Sequence, residues 1–447
     1  MTDSLTRIER LVYERVKNNR HLKVFLRDAL QGLCDLRGPV KSESAYPIEA
    51  REGYFFGFHD KCPWSADGTM LLAHRYPFDL RRPGPEDRVE VGFFAAPDFR
   101  EFVPVGETCA WNWHQGAMLQ WVGGSSDILY NDCATERHIA RVVDRDGRPK
   151  GTLSIPVCAV SPDGSTALGY CFARLRASPY GYGYANGRDP NEKDLCPGGC
   201  GIEAIDIASG ERRTVITLAE LAELSPEPTM SGAFHYVTHC QFSPSGQRFL
   251  AFHCWLYDGH RVGLRMFTCS SDSGDVHLFR TSGMVSHAAW RDDEWILAYA
   301  RTESGGDGYY LCPDRRDEFW RVAEKDLVSD GHPSFSPDGN WILTDTYPDR
   351  YRRRRLLLYD LESRRAHTLA SLYSPKQFSR RRFSGMLRCD LHPRWDRSGK
   401  TICFDSTHTG KRALCTLDIG DAGHSGGGDG VHGKFSMSPD TGGSHAT

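Results

Sequence analysis

The segment HCQFSPSGQRFLAFHCW, residues 239–255, decides the fold of this chain. It holds two short runs of alternating apolar and polar residues, a pattern typical of half-buried β-strands. Ser-Pro-Ser-Gly at 243–246 lies between the runs, where proline fixes φ and glycine accepts the positive φ of a tight turn. The segment therefore predicts a β-hairpin whose first residue is a histidine.

Hairpins of this kind recur along the chain. Related segments begin at His59, Cys158, His287, His332 and His392. Intervals of 48, 45 and 60 residues separate the starts from His239 to His392, and one four-stranded propeller blade takes about 40–50 residues. The segment 108–132 fills the remaining slot. We therefore predict an all-β fold, a seven-bladed β-propeller that removes exposed sheet edges by radial repetition.

The two ends of the chain differ from this repeat. Apolar residues follow helical spacing over 4–37, which predicts an amphipathic helix or helix pair. Residues from 420 onward are rich in Gly, Ser and His and lack the apolar content to fold. We predict an α-helical extension at 1–40, the propeller at 45–419 and a disordered tail at 420–447. We expect this helix to pack on the propeller or, alternatively, to contact a membrane surface or a partner protein.

Composition excludes some classes of protein. The net charge of −3 argues against a general nucleic-acid binder, and no apolar run reaches the 18 residues of a membrane span. The 15 cysteines are odd in number and contain no C-x-x-C pair, as is typical of reduced thiols. Together with the absence of an export-signal pattern, these features predict a cytoplasmic protein.

Histidine recurs at one place in the repeat unit. The first strand of a propeller blade lines the central channel, so His59, His239, His287, His332 and His392 should face one axis, with His114 in an equivalent stretch. A single histidine would more simply be structural, but imidazole is the commonest transition-metal ligand. Asp390, two residues before His392, should share its strand face and add a carboxylate. We predict a divalent-metal site, with manganese, zinc, iron or nickel suited to these ligands.

A second cluster lies in FARLRASPYGYGYANGRDP, residues 172–190. Arginines and tyrosines on a loop at the channel mouth suit carboxylate binding and sugar stacking, although an ordinary solvated loop is the alternative. The candidate substrate-binding residues in this loop are Arg174, Arg176, Tyr180 and Tyr184, with Tyr182 a candidate acid. The run YRRRR at 351–355 predicts a solvated turn between strands.

Four segments resemble the oligogalacturonate lyase family of seven-bladed propellers: THCQFSPSGQRFLAFHC (238–254), SHAAW (286–290), GHPSFSPDG (331–339) and LHPRWDRSGKTICFDSTHTGKRALCTLDI (391–419). The resemblance spans about residues 50–419. It implies cleavage of uronic-acid sugars by β-elimination, and it favours manganese among the candidate metals.

The resemblance also implies roles for individual residues. His239 matches the catalytic base, His287 a metal ligand, and His392 the second histidine of a ligand pair whose first position is Asp390 in this chain. The family's substrate-binding arginine aligns with Gly201 and its glutamine ligand falls near Leu387. Arg174, Arg176 or Arg388 would then have to bind the substrate carboxylate.

These observations predict a metal-dependent lyase acting on 4-linked uronate glycans. His239 is the predicted base, with His114 the candidate if His239 instead binds metal. His287, His332, His392 and Asp390 would hold the cation, and Tyr182 or water would protonate the leaving oxygen. Two alternatives stay open: a non-catalytic propeller that scaffolds a protein or an anionic glycan, and a metal-dependent hydrolase.

Overall fold

Seven antiparallel sheets arranged in sequence order form the protein. The structure, a computed structural model, describes residues 29–36, 38–259, 261–272, 274–378 and 387–420. The prediction of an all-β seven-bladed propeller is confirmed. The predicted disordered tail beyond residue 420 and most of the predicted N-terminal helix lie outside the described residues.

The first five blades are four-stranded meanders, in which the chain runs from the innermost strand outward. Blade 1 contains β3 (Tyr54–Phe55), β4 (Met70–Arg75), β5 (Val89–Ala95) and β6 (Phe102–Thr108), and blade 2 contains β7 (Gln120–Trp121), β8 (Ile128–Ala134), β9 (Arg137–Val143) and β10 (Pro149–Leu153). Blade 3 contains β11 (Ala159–Val160), β12 (Thr166–Gly169), β13 (Gly201–Asp206) and β14 (Arg212–Thr217). Blade 4 contains β15 (Phe234–Phe242), β16 (Arg248–Tyr257), β17 (Arg261–Ser270) and β18 (Val276–Leu278), and blade 5 contains β19 (Val285–Trp290), β20 (Trp295–Thr302), β21 (Gly306–Pro313) and β22 (Trp320–Val322).

The outermost strands of the last two blades come from the N-terminal part of the chain. Blade 6 contains β23 (Ser334–Phe335), β24 (Trp341–Asp345), β25 (Arg353–Asp360), β26 (Arg365–Tyr373) and, outermost, β1 (Glu43–Ser44). Blade 7 contains β27 (Arg394–Trp395), β28 (Thr401–Ser406), β29 (Ala413–Asp418) and, outermost, β2 (Ile48–Glu52). Because β2 precedes blade 1 and pairs with β29 in blade 7, backbone hydrogen bonds close the ring.

Helical structure is sparse in the described part of the chain. The helix α1 covers residues 29–35, and α2 (Leu218–Glu223) follows β14 with Thr217 and Glu220 forming a capping box. Short 3-10 turns lie at Arg174–Ala177, Pro228–Met230 and Lys376–Phe378. No helix among the described residues is both long and apolar enough to cross a bilayer.

The helix α1 is attached to blade 6 through a buried arginine. The Arg352 guanidinium donates to both carboxylate oxygens of Asp35, at 2.8 and 3.0 Å. The neighbouring Arg353–Arg355 belong to β25, and Arg354 is 2% exposed. The prediction of a solvated turn at 351–355 is therefore wrong, because alternate arginines of this run point inward to carboxylates.

Apolar residues fill the spaces between the blades. The largest cluster joins blades 3, 4 and 5 through aromatic side chains such as Phe172, Phe249 and Tyr310. A second cluster packs blades 1 and 2 around Trp111 and Trp113, whose rings meet edge to face at 4.9 Å. This packing fixes the inner strands, and therefore the side chains that face the channel.

The burial of His74 is expected to make the stability of this core depend on pH. Its ring stacks on Phe55 at 4.8 Å, and its Nε2 accepts a hydrogen bond from the Ala117 N–H at 3.0 Å. Burial lowers the pKa of His74 to about 3, so the folded protein binds this proton less tightly than the unfolded chain, whose histidine pKa is about 6.5. The contribution of His74 to the free energy of unfolding should fall by about 1.4 kcal/mol for each pH unit below 6.5.

We expect His74→Gln to remove this one-proton dependence while its amide oxygen still accepts from Ala117. Urea denaturation between pH 4 and pH 7 measures the slope of unfolding free energy against pH. His367→Gln, at an exposed position of β26, is the matched control and should keep the wild-type slope. An unchanged slope in His74→Gln would contradict this assignment.

Candidate active site and metal centre

The histidines of the repeat converge in the channel. Ring centroids lie 4.1 Å apart for His287 and His332, 4.3 Å for His332 and His392, and 5.5 Å for His59 and His332. The Phe58 ring links His239 to this group, at 4.6 Å from His239 and 4.5 Å from His59. Five blades thus contribute to one cluster, as the repeat register predicts.

Local irregularities of the backbone position the histidine side chains of the cluster. The register of β15 shifts between Thr238 and Gln241, and that of β19 shifts between Val285 and Ala288, so His239 and His287 each lie in a bulge of an innermost strand. A bulge changes the direction of a strand side chain. His239 and His392 also have positive φ values, 58° and 45°, a conformation that costs free energy and concentrates at functional sites.

Asp345 fixes the positions of His332 and His392 by accepting hydrogen bonds from both residues. Its Oδ1 accepts from the His332 backbone N–H at 2.8 Å and from the His332 Nδ1–H at 2.7 Å. Its Oδ2 accepts from the backbone N–H groups of Leu391 and His392 at 3.0 and 3.2 Å. One buried carboxylate therefore fixes the loops that precede β23 and β27.

Four histidines share the same hydrogen-bonding pattern. Their Nδ1 atoms lie 2.7–3.1 Å from oxygen atoms that can only accept: Pro333 O for His59, Asp330 Oδ1 for His287, Asp345 Oδ1 for His332 and Gly57 O for His392. Each Nδ1 must therefore carry the hydrogen, which leaves the Nε2 lone pair of a neutral ring available. This is the outer-shell arrangement that orients metal-binding histidines.

Asp390 lies beside His332 and His392 but, unlike the histidines, it is also paired with two arginines. One ligand atom from each of His332, Asp390 and His392 falls within 4.8 Å of the others. The Asp390 carboxylate also accepts from Arg354 Nη1 and Arg388 Nε, both at 2.6 Å. Burial alone would raise its pKa, but these two guanidiniums outweigh burial and hold the pKa well below its usual range. Residues 388–392 form a loop, so the expectation that Asp390 shares a strand face with His392 is wrong.

A cavity of about 310 Å³ opens beside the cluster. Its polar lining includes His59, His239, His287, Asp330, Tyr182, Tyr347 and Arg388, together with Tyr236, Thr238 and Gln241. Burial, followed by neighbouring histidines, lowers the pKa of His239 well below 6.5, and its Nε2 has no hydrogen-bond partner among the described residues. Burial raises the pKa of Tyr182. At neutral pH the site therefore holds an uncharged imidazole beside a protonated phenol.

Several predicted residues lie elsewhere. Arg174 is buried, with an ion pair to Asp189 at 3.0 Å and further bonds to backbone carbonyls. Arg176 donates to the carbonyls of residues 186 and 187, and the Tyr184 hydroxyl accepts from Asn131 at 2.8 Å. His114 packs 5.8 Å from Tyr182 but is not among the residues that line the cavity. Tyr180, Tyr182 and Arg388 do line it.

Sequence reasoning missed five residues of the site: Phe58, Asp330, Asp345, Tyr347 and Arg354. One signal was present for Asp345. Ser334 pairs with Leu343 across the blade 6 hairpin, so continuing the antiparallel register places position 345 opposite His332. The others depend on contacts between blades, which no local pattern reveals.

Asp345→Ala should destabilise the fold strongly. The change leaves a buried imidazole and three backbone N–H groups without their acceptor, and each buried donor left unsatisfied costs about 1–3 kcal/mol. Urea denaturation measures the loss of unfolding free energy. The control is Asp146→Ala, which removes an exposed pair with Arg148 and should cost under about 1 kcal/mol. Equal effects of the two changes would show that Asp345 is not an organising residue.

Solved structures provide the comparison with known proteins. An oligogalacturonate lyase in complex with manganese is 13% identical, with a TM-score of 0.58 over 86% of this chain and 98% of that chain. An oligogalacturonate lyase from Vibrio parahaemolyticus is 13% identical, with a TM-score of 0.57 over 86% of this chain and 99% of that chain. No protein family model and no curated protein matches the sequence. At this identity the likeness establishes the propeller fold and leaves the activity to the chemistry of the site.

Proposed function

We propose that this propeller is a metal-dependent lyase that cleaves 4-linked uronate glycans by β-elimination. One observation carries the proposal: four histidines present oriented Nε2 atoms beside a fifth, His239, whose Nε2 is unpartnered among the described residues. A binding scaffold has no need of such a group, whereas elimination next to a carboxylate needs both a cationic site and a neutral base.

The residues present suit a divalent ion. With metal–nitrogen bonds of about 2.1 Å, two imidazoles on one ion have centroids about 4.5–6.5 Å apart. The observed values for His59, His287, His332 and His392 are 5.5–6.4 Å for the pairs with His59, within this range. The His287–His332 and His332–His392 pairs, at 4.1 and 4.3 Å, are a few tenths of an ångström shorter, so these rings would move apart slightly around an ion. We propose His287, His332 and His392 as ligands, with His59 or Asp390 completing the set. Manganese is favoured; zinc, iron and nickel fit the same donors.

The bound cation would neutralise the substrate carboxylate and so acidify the C5 proton. Arg388 would serve the same carboxylate, because it lines the cavity while Asp390 and the Tyr347 ring, 5.0 Å away, hold its guanidinium in place. His239 would remove the C5 proton, since burial keeps its imidazole neutral. Tyr182, with its ring 4.7 Å from that of His239, would protonate the departing O4.

The substrate would be a uronate-containing oligosaccharide or polysaccharide. A cytoplasmic location would suit imported oligosaccharides. Contact of the N-terminal helix with a membrane would instead suit a polymer made there, and the exposed Leu33 and Leu36 at the end of α1 are consistent with such a contact.

Ultraviolet absorbance of the product tests the proposal. Only elimination leaves a conjugated C4–C5 double bond, so metal-loaded protein incubated with a panel of uronate polymers should produce a rising absorbance. Cleavage without absorbance would indicate a hydrolase. Absence of cleavage in protein that binds no metal would indicate a scaffold.

A further inference from the structure

Three polar side chains of β15 line the cavity on the strand that carries the proposed base. They are Tyr236, Thr238 and Gln241, which we call the β15 strip. The two hydroxyl oxygens and the amide oxygen of the strip are buried and have no hydrogen-bond partner among the described residues. Buried polar atoms in folded proteins almost always have partners. Three such oxygens at one cavity therefore indicate a ligand that supplies the missing hydrogen bonds.

The β15 strip carries no charge. Burial raises the pKa of Tyr236, so its phenol stays protonated at neutral pH. Two hydroxyls and a carboxamide can each donate and accept hydrogen bonds, as the hydroxyl groups of a sugar can. A carboxylate only accepts, and burying it without a cation costs free energy. The strip therefore suits a neutral group that carries hydroxyls.

The rest of the cavity can neutralise only one carboxylate. Its charged lining residues are Asp60, Asp330 and Arg388. Lys61 pairs with Asp60 at 2.7 Å, and Asp330 accepts from Ser286 Oγ at 2.9 Å. Arg388 is thus the only arginine or lysine among the described residues that line the cavity, and the proposed metal ion would add the one other cation. Both would serve the carboxylate on C5, so none remains for a second carboxylate.

The order of the blades places the β15 strip beside the leaving group. The proposed cation ligands belong to blades 5, 6 and 7, and Arg388 directly precedes blade 7. Tyr182, the proposed acid, lies in the β12–β13 connection of blade 3, while the strip lies in blade 4. The carboxylate is on C5 and the leaving oxygen is on the neighbouring C4. With the carboxylate toward blades 5–7 and O4 toward Tyr182, the sugar attached to O4 lies beside blades 3 and 4.

We infer that the β15 strip binds the hydroxyl groups of a neutral sugar attached to O4 of the uronate. The substrate class is then a mixed glycan, in which a uronate follows a neutral sugar, rather than a homopolymer of uronates. The cavity of about 310 Å³ lies at the small end of ligand sites, about 300–1,000 Å³, and suits the two sugars joined by the cleaved bond. This inference rests on the proposed function for the uronate unit.

Matched disaccharides test the charge of the leaving unit. The probes are 4-O-galactosyl-galacturonate against 4-O-galacturonosyl-galacturonate, and the corresponding glucose and glucuronate pair. Within each pair the leaving sugar differs only in a CH₂OH or a carboxylate at C6. Calorimetry measures affinity, with His239→Asn in place of wild type for any probe that is turned over. In at least one pair we expect the neutral-leaving disaccharide to bind at least about tenfold more tightly, because its partner buries an unpaired carboxylate.

Conservative variants test the β15 strip itself. Tyr236→Phe and Thr238→Val should each weaken binding of the preferred disaccharide by about three- to tenfold, the effect of one lost hydrogen bond. Without ligand their Tm should not fall, because neither hydroxyl has a partner in the protein. Tyr359→Phe is the control, since Tyr359 is buried in blade 6 and does not line the cavity. It should leave every affinity unchanged.

The other outcomes separate this inference from the proposed function. Equal or tighter binding of the di-uronates, with a rise in ultraviolet absorbance, would overturn the mixed-glycan substrate and leave the lyase standing. Preference for a neutral-leaving disaccharide without any absorbance would support the strip and overturn the lyase. Unchanged affinity in both Tyr236→Phe and Thr238→Val, or no binding of any disaccharide, would overturn the inference.

Discussion

Replacing His239 by asparagine is expected to reduce formation of the unsaturated product by about 10²- to 10⁴-fold, the usual contribution of a positioned general base. Asparagine is the suitable replacement because residue 239 has a φ of 58°, and asparagine tolerates the left-handed region better than most residues. The propeller should therefore stay folded while the base is lost. Initial rates of ultraviolet absorbance measure the effect.

Two measurements make this result interpretable. His367→Asn, on the exposed side of β26, should keep the wild-type rate. Metal content should be unchanged in His239→Asn, because the four histidines whose Nδ1 atoms are held by hydrogen bonds remain: His59, His287, His332 and His392. If His239→Asn loses both metal and activity, His239 is a ligand and His114→Asn becomes the test of the base. A variant that keeps a tenth or more of the wild-type rate would refute a base role for His239.

Replacing His332 by alanine is expected to weaken divalent-metal binding by at least about 100-fold. His332 is central in the cluster, with the rings of His287 and His392 at 4.1 and 4.3 Å, and losing even an outer-shell partner typically costs about 10- to 100-fold. A ligand that binds only the folded state stabilises it by about 2.7 kcal/mol at 100 times its Kd. Adding manganese or zinc should therefore raise the Tm of the wild-type protein and leave that of His332→Ala nearly unchanged.

His408→Ala provides the matched comparison for His332→Ala. The His408 side chain forms a hydrogen bond with Ser406 and does not line the cavity. Replacing it by alanine should therefore preserve the metal-dependent rise in Tm. Elemental analysis after dialysis gives an independent count of bound ions. A wild-type protein whose Tm does not respond to any of the four candidate metals would argue against the metal centre altogether.

The repeat register explains why much of the site could be predicted from sequence. A propeller brings equivalent positions of successive blades to one axis, so histidines 45–60 residues apart become neighbours once the blade period is recognised. Residues 172–190 show where local pattern is insufficient: it suggested five ligand-facing side chains, and of these Tyr180 and Tyr182 line the cavity. Arg174 and Tyr184 instead form hydrogen bonds within the core, because a long loop needs internal partners for its own polar groups.

The arginine run at 351–355 also shows the difference between what the sequence predicts and what the tertiary structure determines. Sequence spacing identified a strongly basic stretch at 351–355, but strand alternation and two distant carboxylates determine its role. Arg352 meets Asp35 and Arg354 meets Asp390, and a buried arginine needs such partners. Neither acid is near the run in sequence.

The sequence by itself determined the hairpin repeat, the number of blades and the convergence of the histidines, because turn chemistry and strand alternation are local and the blade period carries them around the ring. Only the tertiary structure decided which imidazole nitrogen is left free, that Asp390 is shared with two arginines, and that Tyr182 and Arg388 line the cavity beside His239. These features arise where side chains from different blades meet, and their hydrogen-bond partners lie far apart along the chain.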